Sequence, residues 1–329
     1  MKHYFIVNPV AGSCNSEKYI PMIHECFKKC KDPYEIIITS REHEATEIVE
    51  NLAKSGEEIR VYAVGGDGTL FDIVNGAAMH KNVSIGIIPT GSGNDFVKSF
   101  GGKELFLDID GQVNGSPVPL DLIKFEDKYS INISSLGMDA EVVNHHNRHR
   151  VLSKINGTFS YTFSVFTAFI FNMNNHFHIF ADGEELDGTY LFVIIANGRY
   201  YGGGFNPTPY ANMRDGVLDL LLINEVSRAK VVKLMQKYRT GEHLNIDGLC
   251  VRRDVKHVEV LMDKEMSVQL DGEIFRRKKA VFDVVHNGIN FILPSLVNIK
   301  SAESSDKISP KSKLKKIVTA EKAKDEVKQ

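Results

Sequence analysis

Hydrophobic and polar positions alternate between two periods in the first third of the chain. Short apolar or β-branched runs, typical of buried strands, occupy 3–7, 34–39, 59–64 and 83–88. Apolar positions recur at helical spacing in 17–31, 44–54 and 70–79. Strands that alternate with helices predict an α/β domain with a parallel sheet and right-handed crossovers.

The pattern changes from about residue 105 onward, where short β-like runs alternate with turn residues. Turn-forming pairs that predict hairpins are Asn114-Gly115, Asp182-Gly183, Asp187-Gly188, Asp215-Gly216 and Asp271-Gly272. Strands are predicted at 190–196, 217–223, 255–261 and 267–270, and helices near 153–172 and 227–240. This pattern predicts a second, largely antiparallel β domain.

Three regions follow from these patterns. We expect an α/β domain at 1–125 and a β-rich domain at 126–300, whose last residues are able to pack back on the first domain. A Lys-rich tail at 301–329 is expected to be mobile.

Composition excludes several classes of protein. The chain has 329 residues, of which 43% are hydrophobic and 25% charged, as in soluble globular proteins. No apolar run is long enough for a membrane-spanning helix. The net charge is −2, and the excess of Lys lies in the tail, so nothing indicates nucleic-acid binding. The four cysteines include no C-x-x-C pair, which argues against a zinc or disulfide framework.

Glycine-rich loops follow three of the predicted strands, at 8–13, 65–69 and 89–95. Glycine allows the backbone to approach a phosphate, and the next helix offers free N–H groups. Asp67 would repel a phosphate unless a divalent cation lay between them, so its position suggests Mg²⁺ and a nucleotide. None of the loops matches G-x-x-x-x-G-K-[ST] or G-x-G-x-x-G.

These loops also carry a family resemblance. Gly65-Gly66-Asp67-Gly68-Thr69 resembles the signature shared by diacylglycerol, sphingosine and ceramide kinases, NAD kinases and phosphofructokinases. Asn8-Pro9 with Gly12, followed by Gly91-Ser92-Gly93-Asn94-Asp95-Phe96, narrows the resemblance to the lipid kinases. Later motifs in the order of the bacterial diacylglycerol kinase-like lipid kinases are Asn197-Gly198, Gly202-Gly203-Gly204, Asp215-Gly216 and Asp271-Gly272-Glu273. The resemblance covers about residues 3–294.

The resemblance implies a Rossmann-like first domain of the NAD kinase and diacylglycerol kinase type, followed by a mostly antiparallel β-sandwich. The implied nucleotide-binding residues are Asn8, Pro9, Val10, Ala11, Gly12, Thr39, Gly65, Gly66, Asp67, Gly68, Thr69, Leu70, Phe71 and Ser92. An Mg²⁺–water network would involve Asp67, Asp95 and Asp121. A second, structural Mg²⁺ would be held by Asp215 and by the backbone carbonyls of Asn212 and Val217.

Two of these aspartates also have simpler interpretations from the residues alone. Asp121 reads as a surface residue at the start of a strand, and Asp215 as part of an Asp-Gly turn that needs no metal.

Glu273 is the expected general base. It follows a predicted turn, and a lipid hydroxyl that attacks the γ-phosphate needs a carboxylate to accept its proton. The alternative is an exposed strand glutamate beside a tight turn. The chain departs from many relatives at Ser13 and Cys14, where a Lys or Arg would follow the glycine of the first loop; the nearest cation is Lys18.

The expected function is that of an ATP- and Mg²⁺-dependent lipid kinase, with diacylglycerol as acceptor and phosphatidic acid as product. Alternatives are a kinase for phosphatidylglycerol, ceramide or a sphingoid base, a NAD kinase, or a non-catalytic nucleotide-binding regulator. We expect a cytoplasmic protein in peripheral contact with the inner face of the membrane. We do not expect nucleic acid as a partner, and the sequence allows a homodimer.

Three further features fit more than one interpretation. The cationic cluster 145–150 is either a solvated helix end, a metal site or a contact with lipid phosphate. The aromatic stretch 153–172 is either core or part of an acyl-chain groove. The Lys-rich tail is either solvated or in contact with anionic lipid.

Overall fold

A computed structural model describes residues 1–11, 16–137, 175–295 and 297. The predictions for Gly12, 145–150, 153–172 and 301–329 lie outside these residues. Within Met1–Val297, the described residues form one unit.

The first part of the chain alternates between strands and helices. Its strands are β1 (Lys2–Val7), β2 (Tyr34–Ile38), β3 (Ile59–Gly65) and β4 (Val83–Pro89). Its helices are α1 (Ile20–Lys29), α2 (Glu44–Ala53), α3 (Asp67–Ala77), α4 (Asp95–Lys98) and α5 (Ile109–Val113). Short 3₁₀ helices span Ser16–Tyr19 and Lys103–Phe106. The four strands pair in parallel in the order β2-β1-β3-β4.

The second part consists mainly of antiparallel strands, as the turn pattern predicts. Its first strands are β5 (Ser116–Phe125), β6 (Lys128–Ser130), β7 (Ile133–Gly137), β8 (Asn175–Ala181), β9 (Glu184–Glu185) and β10 (Gly188–Ala196). The later strands are β11 (Leu218–Asn224), β12 (Cys250–Val255), β13 (His257–Leu270) and β14 (Glu273–Leu293). Between β11 and β12 lie helix α6 (Arg228–Thr240) and the 3₁₀ helix Glu242–Asn245.

Strand β14 joins the two sets of strands into one sheet. Near its start it pairs antiparallel with β13, and further along it pairs antiparallel with β5. Near its end, Asn290 and Phe291 pair in parallel with Ser84 and Ile85 of β4. The sheet order therefore runs from β12 through β13 and β14 to β4 and β2.

The core consists of several apolar clusters packed against this sheet. One lies between the parallel strands and α1, and it includes Phe5, Val64 and Ile292. A second is formed by the antiparallel strands, and Phe71 of α3 packs in it with Phe125. Helix α3 thus contributes side chains to the core of the second part of the chain.

Three of the predicted hairpins are wrong, and at one of them, Asp187-Gly188, the strands on either side, β9 and β10, do not pair with each other. Asn114 follows α5 and Gly115 leads into β5, where a side chain on Gly115 would meet the carbonyl oxygen of Leu293 at 2.5 Å. Asp215-Gly216 lies in the long connection between β10 and β11. By contrast, Asp182-Gly183 joins the paired strands β8 and β9, and Asp271-Gly272 joins β13 and β14.

Element boundaries differ from prediction in two further places. Residues 255–261 and 267–270 belong largely to a single strand, β13, in which the register shifts between Leu261 and Met266. Helix α3 begins at Asp67, not Leu70, because Gly66 serves as its N-cap in an extended conformation.

Candidate active site

The loop after β1 is tied to the start of helix α3. The Asn8 side chain donates from Nδ2 to Thr69 Oγ1 at 3.1 Å, and its Oδ1 accepts from the backbone N–H of Val10 at 3.2 Å. Residues 9–11 form a turn, in which Val10 is 68% exposed. Two of the three glycine-rich loops are therefore connected through one asparagine, and the first presents its turn to solvent.

Close packing explains the glycines of the second and third loops. A Cβ on Gly65 would lie 2.2 Å from Thr69 Oγ1, and a Cβ on Gly91 would lie 2.5 Å from the Gly66 Cα. Real Cβ atoms do not approach other atoms so closely, so only glycine allows these backbones to touch. Ser92, next to this contact, is exposed.

The remaining predicted nucleotide-binding residues differ in exposure. Thr39 is buried and donates its backbone N–H to the Val7 carbonyl at 2.9 Å, whereas Gly68 is exposed. Leu70 and Phe71 are buried side chains of α3. The side chains of Leu70 and Phe71 thus hold α3 in place.

Asp67 and Asp95 come together where the second and third loops meet. The backbone N–H of Asp95 donates to Asp67 Oδ1 at 3.0 Å, and Asp95 is buried. Burial, and then the charge of Asp95, raise the pKa of the Asp67 carboxyl. Two carboxylates held this close to each other, with oxygen as their only donor atom, suit a hard cation such as Mg²⁺.

The Asp95 carboxylate has two further partners. Lys98 Nζ donates to Asp95 Oδ1 at 2.5 Å, one turn along α4. The backbone N–H of Gly203 donates to Asp95 Oδ2 at 2.8 Å. The Gly202-Gly203-Gly204 motif of the second part therefore contacts the carboxylate pair of the first part.

Glu273 lies beside the first turn of α3. A Cβ on Gly68 would lie 3.8 Å from Glu273 Oε1, which places this carboxylate next to the loop that carries Asp67. Glu273 is the first residue of β14, directly after the tight turn from β13. The sheet thus brings residues 67 and 273 together at one site.

Asp271 holds this turn in position. Its backbone is in the left-handed region (φ 47°) and its carboxylate accepts from Ser130 Oγ at 2.7 Å. Three backbone N–H groups, of Ile131, Asn132 and Ile133, also donate to it. Burial nonetheless raises the pKa of the Asp271 carboxyl. These hydrogen bonds hold the turn that directly precedes Glu273 in a fixed position.

Asp121 lies with the predicted structural Mg²⁺ site. It is fully buried, and its carboxylate accepts from the Gly216 N–H at 2.7 Å and contacts His286 Nδ1 at 2.7 Å. Its backbone N–H donates to the carbonyl of Met213 at 2.7 Å. Burial raises the pKa of the nearby Asp215 carboxyl, and the charge of Asp121 adds to the effect.

The predicted metal residues therefore form two groups. One contains Asp67 and Asp95; the other contains Asp121 together with the loop of Asn212, Asp215 and Val217. Burial contradicts the simpler interpretation of Asp121 as a surface residue. In the described ranges, no group of three or more His, Cys, Asp or Glu side chains is placed to hold a metal ion by itself. Mg²⁺ bound at either group would need backbone, water or phosphate oxygens as well.

Sequence reasoning missed three residues of the site. Lys98 could have been found from its spacing, since it follows Asp95 by three residues and residues i and i+3 lie on one face of a helix. Asp271 and Gly203 lie in quoted motifs, but their contacts join segments far apart in sequence and no local pattern indicates them.

Comparisons with known proteins match the two parts of the chain to two family models. Residues 2–125 match the sequence model of the diacylglycerol kinase catalytic domain. Residues 132–293 match that of the YegS C-terminal NAD kinase beta sandwich-like domain. Among the described residues, no helix is both long and apolar enough to cross a membrane.

Individual relatives share about a quarter of their residues with this chain. A diacylglycerol kinase of Bacillus subtilis (strain 168) is 24% identical over 88% of this chain and 95% of its own. A diacylglycerol kinase of Staphylococcus carnosus (strain TM300) is 26% identical over 82% of this chain and 87% of its own. The crystal structure of a diacylglycerol kinase from Bacillus anthracis strain Sterne has the same fold. Its TM-score is 0.65 at 19% identity, and the match covers 90% of this chain and 98% of that one.

The two family matches together span nearly all of 2–293, in the order that the motifs predict. The chain belongs to the family of bacterial diacylglycerol kinase-like lipid kinases.

Proposed function

We propose that this protein is an ATP- and Mg²⁺-dependent lipid kinase that transfers the γ-phosphate to the hydroxyl of diacylglycerol, giving phosphatidic acid. One observation carries the proposal: Asp67 and Asp95 come together where two glycine-rich loops meet, and the Glu273 carboxylate lies beside Gly68, the residue after Asp67. Phosphoryl transfer requires charge neutralisation and positioning, and little else.

Each part of the chain has a role in this proposal. Residues 1–125 act as a Rossmann-like ATP-binding domain, whose loops at 8–12 and 65–71, with Thr39 and Ser92, line the nucleotide. Residues 126–300 act as the lipid-binding β-sandwich. The protein works as a peripheral protein at the cytoplasmic face of a membrane.

The reaction transfers one proton and one phosphoryl group. Glu273 Oε1 accepts the hydroxyl proton as the lipid oxygen bonds to the γ-phosphorus, and the bond from that phosphorus to the β–γ bridging oxygen breaks, leaving ADP. Asp67 and Asp95 would hold Mg²⁺, which would supply positive charge next to the phosphate oxygens. Lys98 already neutralises one oxygen of Asp95 and adds a cation to a site that lacks a Lys or Arg after Gly12.

The structural Mg²⁺ is proposed at the second group. Asp215 and the carbonyls of Asn212 and Val217 would bind it, and the buried Asp121 would hold the loop through Gly216. All of these donors are oxygen atoms, which fits Mg²⁺.

The test is transfer of labelled γ-phosphate to lipids in mixed micelles, with and without Mg²⁺. Acceptors are diacylglycerol, phosphatidylglycerol, ceramide, sphingosine and NAD. We expect Mg²⁺-dependent label on diacylglycerol. Label on another acceptor alone would replace the substrate, and ATP binding without label on any acceptor would support a non-catalytic regulator.

Glu273→Gln tests the proposed base. The amide cannot accept the proton, so we expect kcat to fall about 10²–10⁴-fold while ATP binding, measured by calorimetry, is unchanged. Glu265→Gln is the matched control, because Glu265 is exposed on the same hairpin and away from α3. An unimpaired Glu273→Gln enzyme would refute the assignment.

A further inference from the structure

Helix α6 carries five cationic side chains and no acidic one. They are Arg228, Lys230, Lys233, Lys237 and Arg239. The nearest acidic residues in sequence, Glu225 and Glu242, lie outside the helix. Because all the charged residues of α6 are basic, its exposed surface is basic.

Three of these cations form a row. Lys230, Lys233 and Lys237 are spaced i, i+3 and i+7, which places them on one face of the helix. All three are exposed, and none forms an ion pair with a carboxylate of the described residues. We call these three residues the lysine row.

Another face of α6 is fixed to the protein. Val231 and Tyr238 are buried in an apolar cluster with Phe192 and Leu221. Val232, in contrast, is 64% exposed beside the basic side chains. A helix anchored by one apolar face, with cations and an exposed valine outside, has the features of a helix that lies on a membrane surface.

The charge pattern of α6 is not what helix stability favours. Arg228 and Lys230 lie in the first turn, at the positive end of the helix dipole. Lys230 and Lys233, and Lys233 and Lys237, place like charges one turn apart, which is also unfavourable. An external anionic partner would relieve both repulsions.

A short chain of contacts leads from α6 to the candidate active site. Tyr238 and Tyr201 share a hydrogen bond between their hydroxyls at 2.6 Å. Tyr201 precedes the glycine loop in which the Gly203 N–H donates to Asp95. Arg239 lies over the Phe205 ring, at the other end of that loop. The buried face of α6 is thus connected to the loop that contacts Asp95.

We propose that α6 docks on an anionic lipid bilayer through the lysine row. The inference rests on the proposed function, since a kinase for a membrane lipid must bind at the surface that holds its substrate. The bilayer fits because its anionic headgroups complement three adjacent ammonium groups, and each basic residue near such a surface strengthens binding.

The experiment is sedimentation of the full chain with vesicles of phosphatidylcholine alone or with 30% phosphatidylglycerol, in low salt, on the order of 0.1 M NaCl. We expect binding to the anionic vesicles and little to the neutral ones. Lys230→Glu/Lys233→Glu/Lys237→Glu should weaken the partition coefficient by about 100-fold or more. Raising the salt to about 1 M should also weaken binding of the wild type, because screening then acts within a few ångströms.

The matched control is Lys29→Glu/Lys31→Glu/Lys54→Glu, which changes the net charge equally at exposed lysines of the first part of the chain. This control should retain at least about half of wild-type binding, since three distant cations do not contact the bilayer. Equal loss in the two triple variants would show that only net charge matters. Full retention in the α6 variant would show that another segment binds. Either result overturns the proposal.

Activity separates this inference from the proposed function. If both hold, the α6 variant phosphorylates a short-chain, water-soluble diacylglycerol at the wild-type rate and loses activity only on vesicles. If the wild type binds vesicles through α6 but labels no lipid, the proposed function fails and the docking surface stands. If the α6 variant loses activity on the soluble lipid as well, the lysine row acts inside the enzyme and the docking proposal fails.

Discussion

His243, in the 3₁₀ helix Glu242–Asn245, is buried. It lies against Tyr238, with a ring-centroid distance of 4.8 Å. Burial lowers the pKa of His243 to about 4, because the protonated ring would lose its hydration, and the backbone of Lys237 and Pro207 offsets this loss only in part. The neutral ring is therefore part of the fold.

This burial predicts loss of stability in mild acid. The unfolded chain takes up a proton near pH 6.5, the folded chain only near pH 4, so the unfolded state binds more protons between these values. Stability from the neutral ring is full above pH 6.5 and falls with pH, by about 3 kcal/mol at pH 4. Urea unfolding at several pH values measures the loss. His243→Leu should reduce the slope between pH 6.5 and 4, and equal slopes in both proteins would contradict the prediction.

At the residue level, the sequence places some site residues well and others poorly. Asp67 and Asp95 were predicted to act together, and they meet because both follow strands whose ends share one edge of the sheet. Asp121 lies in β5, which is antiparallel to β14, and its contacts are to Gly216 and His286. Pairing between strands that are far apart in sequence determines such contacts, and a local motif does not indicate it.

The β13–β14 hairpin shows how an element positions a functional group. Its turn depends on the Asp271 carboxylate, which accepts four hydrogen bonds from residues 130–133. Gly272 donates to Gln269 Oε1 at 2.8 Å, and Gln269 Nε2 donates to Ser135 Oγ at 3.0 Å. The turn is therefore fastened to β7 on both sides, and Glu273 follows it directly.

Asp271→Asn should displace this turn. One amide N–H₂ would face backbone N–H donors, which costs about 1–3 kcal/mol of stability. Because a small shift of a reacting group is costly, we expect kcat to fall by about 10²-fold with ATP binding retained. Thermal unfolding and the transfer assay measure the two effects.

Asp182→Asn is the control for that experiment. Asp182 has a similar left-handed backbone (φ 46°), precedes a glycine and accepts from the N–H groups of Lys256 and His257. It lies in a different turn, so its replacement should leave kcat unchanged. If both variants kept full activity, Asp271 would have no role in positioning Glu273.

At the level of elements, hydrophobic periodicity predicts the helices and strands better than turn pairs predict the connections between them. The strands at 3–7 and 59–64 and the helix at 227–240 are confirmed almost to the residue. The turn pairs were less informative, because an Asn-Gly pair also ends a helix and enters a strand, as at Asn114. Strand β13 was split in the prediction, since the polar residues 263–265 within it resemble a turn.

At the scale of the whole molecule, the last strand stabilises the first part of the chain. Phe291 of β14 packs on Phe96 with ring centroids 4.8 Å apart, and Ile292 is fully buried. We expect a fragment of residues 1–125 to remain unfolded, because it lacks these side chains and exposes the edge of β4.

Circular dichroism and limited proteolysis of the fragment check this prediction. Coexpression with residues 126–297 should restore a folded complex, since that piece supplies β14. A fragment 1–125 with a cooperative thermal transition would show that the strand is dispensable.

Strand β14 also determines how this chain could be recombined with its relatives. Its first residues pair with β13 and its last residues with β4, so a chimera joined near residue 125 would bring β4 and its partner from different parents. The pairing with β5 shifts register between Val285 and Ile289, which is a natural break within the strand. Exchanges that cross over at this break, as well as near residue 125, would keep the pairs of Asn290 and Phe291 with β4 within one parent. The first part of the chain and the end of β14 would therefore have to be exchanged together, although they are far apart in sequence.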